Sequence, residues 1–398
     1  MNEKLHIETL GGWGHDIYPK LSWFHQQRVS EAHIMVVGCG ALGNEVLKNL
    51  VLFGVQHLVI VDFDRIEVSN LSRSILYSQA DAAKRRYKVD AAAERLRAIN
   101  PAVEVQTICG DVAYDVGLGL LRRMDVVIGC VDSRWARYCI NRLCMRAGIP
   151  WVDGGIDGLE GTVRVFAPSE NCYACNLGTE GQQELARRMP CSGIVRRNEV
   201  AGRAPTTPVI ASIIGAVQVQ EAMKIVNSEK IIDKKGEFTS LCGKMFYYEG
   251  QHLTTKLVDF KAYDDDCPVH ECWEPIIASP LSTQSTVAEV LGYLNSLNSQ
   301  LSTLNSQLIL NDCFVDYIED RQNGQRTPMM CAGHLVAERI GSDELLSRKR
   351  DTDYYQHEYR SIDKHFPWPH LTLKQLGIPE CDVLHVSTEQ GEDYVEIK

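Results

Sequence analysis

The amino-acid sequence predicts an α/β fold whose first part is built on a doubly wound parallel sheet. Between His33 and Phe166, short apolar runs alternate with segments of helical spacing. Strands that alternate with helices form parallel sheets with helices on both faces. A glycine-rich turn, Gly38–Gly43, follows the first apolar run and opens the first helix, as in Rossmann-like domains. We therefore expect a Rossmann-like domain, with a smaller α+β domain after it.

The predicted elements follow one another closely along this first part. Asn100-Pro101 ends the longest helix, because proline does not continue a helix. Thr162–Phe166 alternates in polarity and should add an antiparallel strand. The other predicted strands are His33–Val37, Leu58–Asp62, Val103–Ile108, Val126–Cys130, Trp151–Val152, Lys244–Tyr248 and Lys256–Tyr263. The predicted helices are Gly43–Phe53, Asp81–Asn100, Ser133–Ala147 and Pro208–Val226.

A change of composition near residues 275–285 indicates a linker. Pro275, Pro280 and several serines and threonines lie there, and such residues favour loops. We therefore place the two domains at residues 1–278 and 279–398. The predicted elements of the second domain are a capped amphipathic helix over Ser285–Leu294 and strands over Leu308–Tyr317 and Val383–Val386.

Length and charge narrow the class of protein. The chain has 398 residues, 44% of them hydrophobic, and a net charge of −11. This length suggests two or three domains, and the negative charge argues against nucleic acid as a partner. No membrane span is expected, because no run of about 18 apolar residues occurs, and the N-terminus lacks the layout of a signal peptide. We expect a cytoplasmic protein whose 14 cysteines are thiols or metal ligands.

The glycine-rich turn is a candidate nucleotide site. Gly38, Gly40 and Gly43 lie between a strand and a helix, so backbone N–H groups and the helix N-terminus can approach a phosphate. Asp62 ends the next predicted strand, where a carboxylate can bind ribose hydroxyls. Alone, this pattern favours an NAD-dependent oxidoreductase or a flavin enzyme. A tight turn without a ligand is the other interpretation.

Polar residues after the second strand change that interpretation. Asp64 and Asn70 come first, and Arg73 and Lys88 follow. Hydride transfer has no need of two cations beside the nucleotide, whereas a triphosphate that loses pyrophosphate does, because negative charge builds on the leaving group. Asp132 follows a later strand and could hold Mg²⁺. Individually, the two cations could be solvated surface residues, and Asp132 could cap the next helix.

Four segments occur in an order that resembles a known family. They are VVGCGALGNEVLKNLVLFGV (36–55), VDFDRIEVSNLSR (61–73), GCVDSRWAR (129–137) and VDGGIDGLEGTVRVF (152–166). They look like the adenylation domain of ubiquitin-like-protein activating enzymes, whose bacterial relatives activate sulfur-carrier proteins. The resemblance covers roughly residues 30–275. It implies that ATP and Mg²⁺ bind here.

The same resemblance assigns roles to individual residues. It implies that Gly40 and Gly43 contact the nucleotide and that Asp62 contacts the ribose. The implied phosphate-binding residues are Asn70, Arg73 and Lys88, and the implied Mg²⁺ ligand is Asp132. The chain departs from the family pattern in Arg85-Arg86-Tyr87-Lys88, where Gly-x-Pro-Lys is usual. The family's N-terminal arginine, which many members donate across a dimer, has only Arg28 as a nearby candidate.

Two cysteine-containing clusters predict a metal site. Cys172 and Cys175 form one Cys-x-x-Cys pair, and Cys267, His270 and Cys272 form the second cluster. Structural zinc takes four soft ligands in a tetrahedron, which two short-spaced pairs supply. A redox pair would explain the first cluster but not the second. We favour Cys272 over His270 as the fourth ligand.

Cys191 is the candidate nucleophile. It lies in a polar segment, 178–207, that reads as a loop or small insert. Cations favour the reactive thiolate, and the arginines near Cys191 are Arg187, Arg188, Arg196 and Arg197. The family resemblance places a thioester-forming cysteine in this region. An incidental loop thiol is the alternative.

In the C-terminal part, 279–398, the segments Leu371–Pro379 and Glu380–Val386 look like the end of a ubiquitin-like β-grasp domain. Eukaryotic activating enzymes recruit a conjugating enzyme with such a domain. The similarity is clear at the two ends of this part and absent between about 297 and 365, and an unrelated α+β domain is the alternative. The resemblance implies adenylation of a ubiquitin-like protein with a C-terminal glycine, thioester formation on Cys191 and transfer to the conjugating enzyme. Arg73, Lys88 and Asp132 would serve the first step, and a homodimer is a possible assembly. The alternatives are a sulfur-carrier-protein adenylyltransferase that stops at the adenylate, an NAD-dependent oxidoreductase, and an inactive partner subunit that acts as a binding module.

Overall fold

A computed structural model describes most of the chain and divides it into two compact units. The described residues are 23–168, 170–188, 206–228, 240–261, 263–297, 306–340, 354–388 and 391–398. The first unit takes its described residues from within 23–112, 123–176 and 206–271. The second unit takes them from within 113–122, 177–188 and 272–398.

The first unit is built on an eight-stranded mixed sheet. Its strands are β1 (His33–Val37), β2 (His57–Val61), β3 (Glu104–Ile108), β4 (Val126–Gly129), β5 (Trp151–Asp157), β6 (Glu160–Phe166), β7 (Lys244–Glu249) and β8 (Thr254–Asp259). They lie in the order β3-β2-β1-β4-β5-β6-β7-β8. Strands β1 to β5 pair in parallel and β6 to β8 are antiparallel. The structure thus confirms the α/β class, the parallel sheet and the antiparallel addition.

Ten α-helices occur among the described residues. They are α1 (Gln26–Glu31), α2 (Ala41–Phe53), α3 (Gln79–Ala83), α4 (Lys88–Ile99), α5 (Leu118–Leu121), α6 (Arg134–Ala147), α7 (Thr179–Arg188), α8 (Pro208–Asn227), α9 (Val287–Leu297) and α10 (Val336–Ile340). Helix α8 packs on α2, β5 and β6. By length and composition it is the one described helix that could cross a membrane, and 56% of its apolar stretch is buried inside the protein, as in a core helix.

The helix predicted over Asp81–Asn100 is wrong in one respect, because the structure divides it into α3 and α4. The connecting segment pairs with the chain that follows β2. The Ile66 N–H donates to the Arg86 carbonyl at 2.9 Å, and the Lys88 N–H donates to the Asp64 carbonyl at 3.0 Å. Arg85 takes a left-handed backbone conformation, with a φ of 49°. This break places Lys88 at the start of α4 and beside Asp64.

The second unit contains a six-stranded, largely antiparallel sheet. Its strands are β9 (Ile276–Ala278), β10 (Gln307–Asp320), β11 (Arg326–Ala332), β12 (Tyr354–Ile362), β13 (Val383–Thr388) and β14 (Gly391–Glu396). The order is β11-β10-β13-β14-β9, and β12 also pairs with β10. The first and last strands, β9 and β14, pair in parallel. Val290 and Leu294 of α9 share a buried apolar cluster with Phe314 and Val386. The unit is therefore α+β, and it contains the helix and strands predicted for it.

A short segment from the middle of the chain, 113–122, also belongs to the second unit. The Leu118 N–H donates to Asp382 Oδ1 at 2.9 Å, and Arg122 Nη1 lies 3.1 Å from Glu396 Oε2. A Cβ on Gly117 would lie 2.3 Å from the Glu380 carbonyl oxygen. The close approach of the two backbones therefore requires glycine at this position.

Candidate functional site

The glycine-rich turn packs tightly on the neighbouring strand ends. Gly38 follows β1 with a φ of 96°, and a Cβ there would lie 2.4 Å from the Cys130 carbonyl oxygen. A Cβ on Gly43 would lie 1.9 Å from the Gly38 carbonyl oxygen. Gly40 is the N-cap of α2, and a Cβ there would meet no described atom within 4 Å. The turn thus leaves the N-terminus of α2 accessible, and such helix ends bind phosphate.

Asp62 lies one residue beyond β2 and braces this turn. Its Oδ2 accepts the Cys39 N–H at 2.6 Å, and its Oδ1 accepts the Asp64 N–H at 2.7 Å. Desolvation raises the pKa of Asp62, with Lys88 acting in the opposite direction. The carboxylate keeps further lone pairs, which ribose hydroxyls could use.

Lys88 is a buried cation beside these carboxylates. It is 6% exposed, and its Nζ donates to Asp64 Oδ2 at 2.6 Å. Burial by itself lowers the pKa of Lys88, but the charges of Asp62 and Asp64 outweigh burial and the pKa is raised. Lys88 is therefore protonated at neutral pH. A fixed charge of this kind stabilises the negative charge of a triphosphate.

Asn70 and Arg73 lie in the turn between β2 and α3. Asn70 is buried, and its Oδ1 accepts the Glu67 N–H at 2.9 Å. Arg73 is half-buried, and its Nη1 donates to the Ser69 carbonyl at 2.7 Å. Asn70 therefore shapes the turn, and Arg73 is tethered to it.

Asp132 follows β4, and its side chain is exposed. Helix α6 is capped by Ser133, whose hydroxyl accepts the Ala136 N–H at 3.1 Å, so the helix-cap role considered for Asp132 belongs to its neighbour. In the sheet order β3-β2-β1-β4-β5, the strands after β1 are added first on one side of it and then, from β4 onward, on the other. The order of strand addition therefore reverses between β1 and β4, although the strands remain parallel. Ligands of such sheets bind at the carboxyl ends of the strands that flank this reversal.

The structure thus brings the predicted nucleotide residues to one edge of the sheet. They follow the carboxyl ends of β1, β2 and β4 or start α4. They are Gly38, Gly40, Gly43, Asp62, Asp64, Asn70, Arg73, Lys88 and Asp132.

Two residues of this site were not predicted from the sequence. Asn44 is fully buried, and its Nδ2 donates to the carbonyl oxygens of Cys39 and Gly40 at 2.9 and 3.0 Å. The Tyr77 hydroxyl donates to the same Cys39 carbonyl at 2.5 Å. An amide on the buried face of α2, directly after the last glycine, is the signal that could have identified Asn44.

A separate Cys/His cluster in the first unit could hold a metal ion. It consists of Cys172, Cys175, Cys267 and His270, whose ligand atoms all lie within 4.8 Å of one another. The Sγ of Cys172 lies 3.7 Å from that of Cys175 and 3.8 Å from that of Cys267. Two thiolates bound at about 2.3 Å in a tetrahedron would be about 3.8 Å apart. The cluster therefore fits zinc.

His270, and not Cys272, completes this cluster. The His270 N–H donates to the Cys267 carbonyl at 3.3 Å, a turn that points the two side chains to one side. The Nε2 of His270 lies 3.3 Å from Cys175 Sγ. Cys272 is exposed and lies outside the cluster, two residues beyond the turn.

Two further sequence-based candidates have different outcomes. Cys191, with Arg196 and Arg197, lies outside the described residues. Helix α7 ends just before it, in a segment for which the sequence indicates a loop or small insert. Arg28 donates to the Asn227 carbonyl at the end of α8, at 3.0 Å. Since Arg28 precedes the amino end of β1, it lies away from the edge that carries the glycine turn.

Comparisons with known proteins add an independent observation. Residues 12–269 match the ThiF family. The chain is 31% identical over 244 residues to the SAMP-activating enzyme E1 of Haloferax volcanii, covering 61% of this chain and 82% of that protein. It is 32% identical to the sulfur carrier protein adenylyltransferase of Thermus thermophilus, covering 53% and 74%. It is also 32% identical to the adenylyltransferase and sulfurtransferase MOCS3 of Sus scrofa, but spans only 43% of that protein. The crystal structure of E. coli MccB with ATP aligns with a TM-score of 0.48 at 18% identity, over 62% of this chain and 68% of MccB.

Proposed function

Since the chain belongs to the ThiF family, we propose that it uses ATP to adenylate the C-terminal carboxylate of a ubiquitin-like protein. One observation carries the proposal. The buried cation Lys88 lies against Asp64 and next to the glycine turn, at the sheet edge that also carries Arg73 and Asp132. Hydride transfer does not require this set of charges. A site that releases pyrophosphate requires one.

The residues divide the chemistry between them. The N–H groups of the glycine turn and the N-terminus of α2 bind phosphate. Asp62 binds the ribose, and Asp64 holds Lys88. Arg73 and Lys88 neutralise the charge that develops on the pyrophosphate. The modifier's carboxylate is ionised at neutral pH, so its oxygen attacks the α-phosphorus without a general base.

Asp132 supports metal binding at the same edge. Its carboxylate is exposed and is not the cap of α6, and Mg²⁺ prefers carboxylate and phosphate oxygens. Asp132 would hold Mg²⁺, which would supply positive charge beside the phosphates. Asn70 holds the turn that presents Arg73.

The later steps form the finer part of the proposal. The adenylate would be attacked by Cys191, giving a thioester and AMP, and the second unit would recruit a conjugating enzyme. The parallel pairing of β9 with β14, and the helix α9 that lies between them in sequence, support a β-grasp origin for that unit. A homodimer and a cytoplasmic location belong to the same proposal, and the thiol state of the described cysteines suits a reducing compartment.

A sulfur-carrier-protein adenylyltransferase that stops at the adenylate is the second candidate. The relatives from Thermus thermophilus and Sus scrofa, of which this chain covers 74% and 43%, are named as adenylyltransferases. It shares the first step, so the two candidates differ only in the fate of the adenylate.

ATP–pyrophosphate exchange tests the shared step. We expect exchange of labelled pyrophosphate into ATP that requires a ubiquitin-like protein with an intact C-terminal glycine. The same protein blocked as a C-terminal amide should give none, because the attacking oxygen is lost. Turnover of NAD without any exchange would instead support the oxidoreductase and contradict the proposal.

We also propose that the Cys/His cluster holds structural zinc. Elemental analysis of the reduced protein should find about one zinc per chain. Cys172→Ser should release the zinc and lower the Tm, whereas Cys272→Ser should keep it. Zinc loss in Cys272→Ser, together with zinc retention in His270→Ala, would restore Cys272 as the fourth ligand.

A further inference from the structure

A buried charge cluster in the first unit has no part in the mechanism above. Asp153, on β5, is fully buried. Its Oδ1 accepts from Arg137 Nε at 2.9 Å, and its Oδ2 accepts from Arg164 Nε at 2.9 Å and also from Arg164 Nη2. Arg164 lies directly opposite Asp153 on β6, and Arg137 lies in the first turn of α6. Buried ion pairs carry a desolvation cost, so this cluster invites a functional explanation.

The cluster carries two cations against one anion. Burial raises the pKa of Asp153, but the two guanidinium groups outweigh burial and the pKa is lowered. Asp153 is therefore ionised, and it holds both arginines in place. The charge of Asp132 also acts on Arg137. With Asp132 included, the four side chains have two positive and two negative charges, and their net charge is zero.

The two arginines differ in what else they bind. Arg137 Nη2 donates to the Val131 carbonyl at 2.7 Å and to the Gly154 carbonyl at 3.0 Å. Val131 directly precedes Asp132, so Arg137 ties the turn that carries Asp132 to β5. Within the described part of the chain, the side-chain hydrogen bonds of Arg164 go only to Asp153. Arg137 therefore reaches the nucleotide edge, and Arg164 does not.

We propose that Arg137 is a positioning residue that fixes the Val131–Asp132 turn so that the Asp132 carboxylate can bind the metal of the nucleotide complex. Asp153 orients Arg137 for this task. The inference rests on the proposed function, because it takes Asp132 as a metal ligand. Partners that orient a metal ligand typically change metal affinity by about 10–100-fold when they are lost.

Mn²⁺ binding provides a test that does not depend on turnover. Mn²⁺ is added stepwise to the protein in the presence of a non-hydrolysable ATP analogue. Free Mn²⁺ is measured at each step by electron paramagnetic resonance. Arg137→Lys keeps the charge but loses the forked donor geometry, and we expect it to weaken Mn²⁺ binding at least tenfold. Arg164→Lys is the matched control. It changes a partner of the same buried carboxylate, that of Asp153, so it should lower the Tm. The Mn²⁺ affinity should stay within about twofold of the original.

Each result has a definite meaning. Equal Mn²⁺ affinity in Arg137→Lys and the unaltered protein would overturn the inference, and so would an equal loss in both lysine variants, which would make the cluster merely structural. If Arg137→Lys does not fold, Arg137→Gln loses the fork that joins the Val131 carbonyl to Asp153 and should show the same weakening. Failure of the unaltered protein to bind the Mn²⁺–nucleotide complex would overturn the proposed function instead.

Discussion

Replacing Lys88 by methionine should lower ATP–pyrophosphate exchange by about 10²–10³-fold, the usual cost of removing one fixed donor from a developing negative charge. Lys88 is the buried cation of the site, and its Nζ lies 2.6 Å from Asp64 Oδ2. The substitution also leaves Asp62 and Asp64 without their cation, so the Tm should fall. Exchange is therefore measured well below the thermal transition.

Arg86→Met is the matched control for this experiment. Arg86 belongs to the same connecting segment, but its guanidinium pairs with Asp81 and Glu94 at 2.8 and 2.7 Å. We expect its exchange rate to stay within about twofold of the original, because it holds the segment and does not serve the nucleotide. Exchange that survives in Lys88→Met would remove Lys88 from the mechanism.

The ionisation of Lys88 also fixes an expected pH dependence. Its pKa is raised in the folded protein, so its contribution to stability is fully present below the unfolded lysine pKa of about 10.4. That contribution is lost only as pH rises through the higher folded value. The exchange rate should therefore show no decrease from Lys88 below about pH 10.

Cys191→Ala should abolish a covalent adduct with the modifier while ATP–pyrophosphate exchange stays within about twofold of the original. The thiolate attacks only after the adenylate has formed, and the first step uses Lys88, Arg73 and Asp132. The adduct is detected on a non-reducing gel and should disappear on treatment with excess thiol.

Two exposed cysteines in the described part of the chain, Cys109 and Cys272, provide controls. Their alanine variants should keep the adduct. An adduct that persists in Cys191→Ala but disappears in Cys272→Ala would identify Cys272 as the nucleophile. If no adduct forms with a modifier that supports exchange, the enzyme stops at the adenylate and resembles the sulfur-carrier activators.

Much of the first unit could be predicted because its signals are local. The apolar runs that became β1, β2 and β4 were located to within a residue, since a buried parallel strand is apolar along its whole length. The division between α3 and α4 could not be predicted. Its sequence is helical in character, and the break depends on backbone pairing with Asp64 and Ile66, which are distant in sequence.

The site shows the same limit. The predicted nucleotide residues could be placed at one edge of the sheet because most of them follow the carboxyl ends of its parallel strands, and their individual roles remain predictions from the family resemblance. The supporting bonds of Asn44 and Tyr77 depend on packing across the unit, so spacing does not reveal them. For the fourth metal ligand, the softer sulfur favoured Cys272, whereas the hydrogen-bonded turn from Cys267 to His270 decided the geometry.

The segment 113–122 has a consequence for how the protein is made. Leu118 and Asp382 are hydrogen-bonded across 264 residues of sequence. During vectorial synthesis, the ribosome delivers every strand of the first sheet long before it delivers Asp382 and Glu396. The second unit therefore completes its folding last, and it incorporates a segment, 113–122, that was synthesised much earlier. A fragment cut at Cys272 would lack that piece, so splitting the gene there should yield a C-terminal product that needs residues 113–122 supplied as a separate peptide.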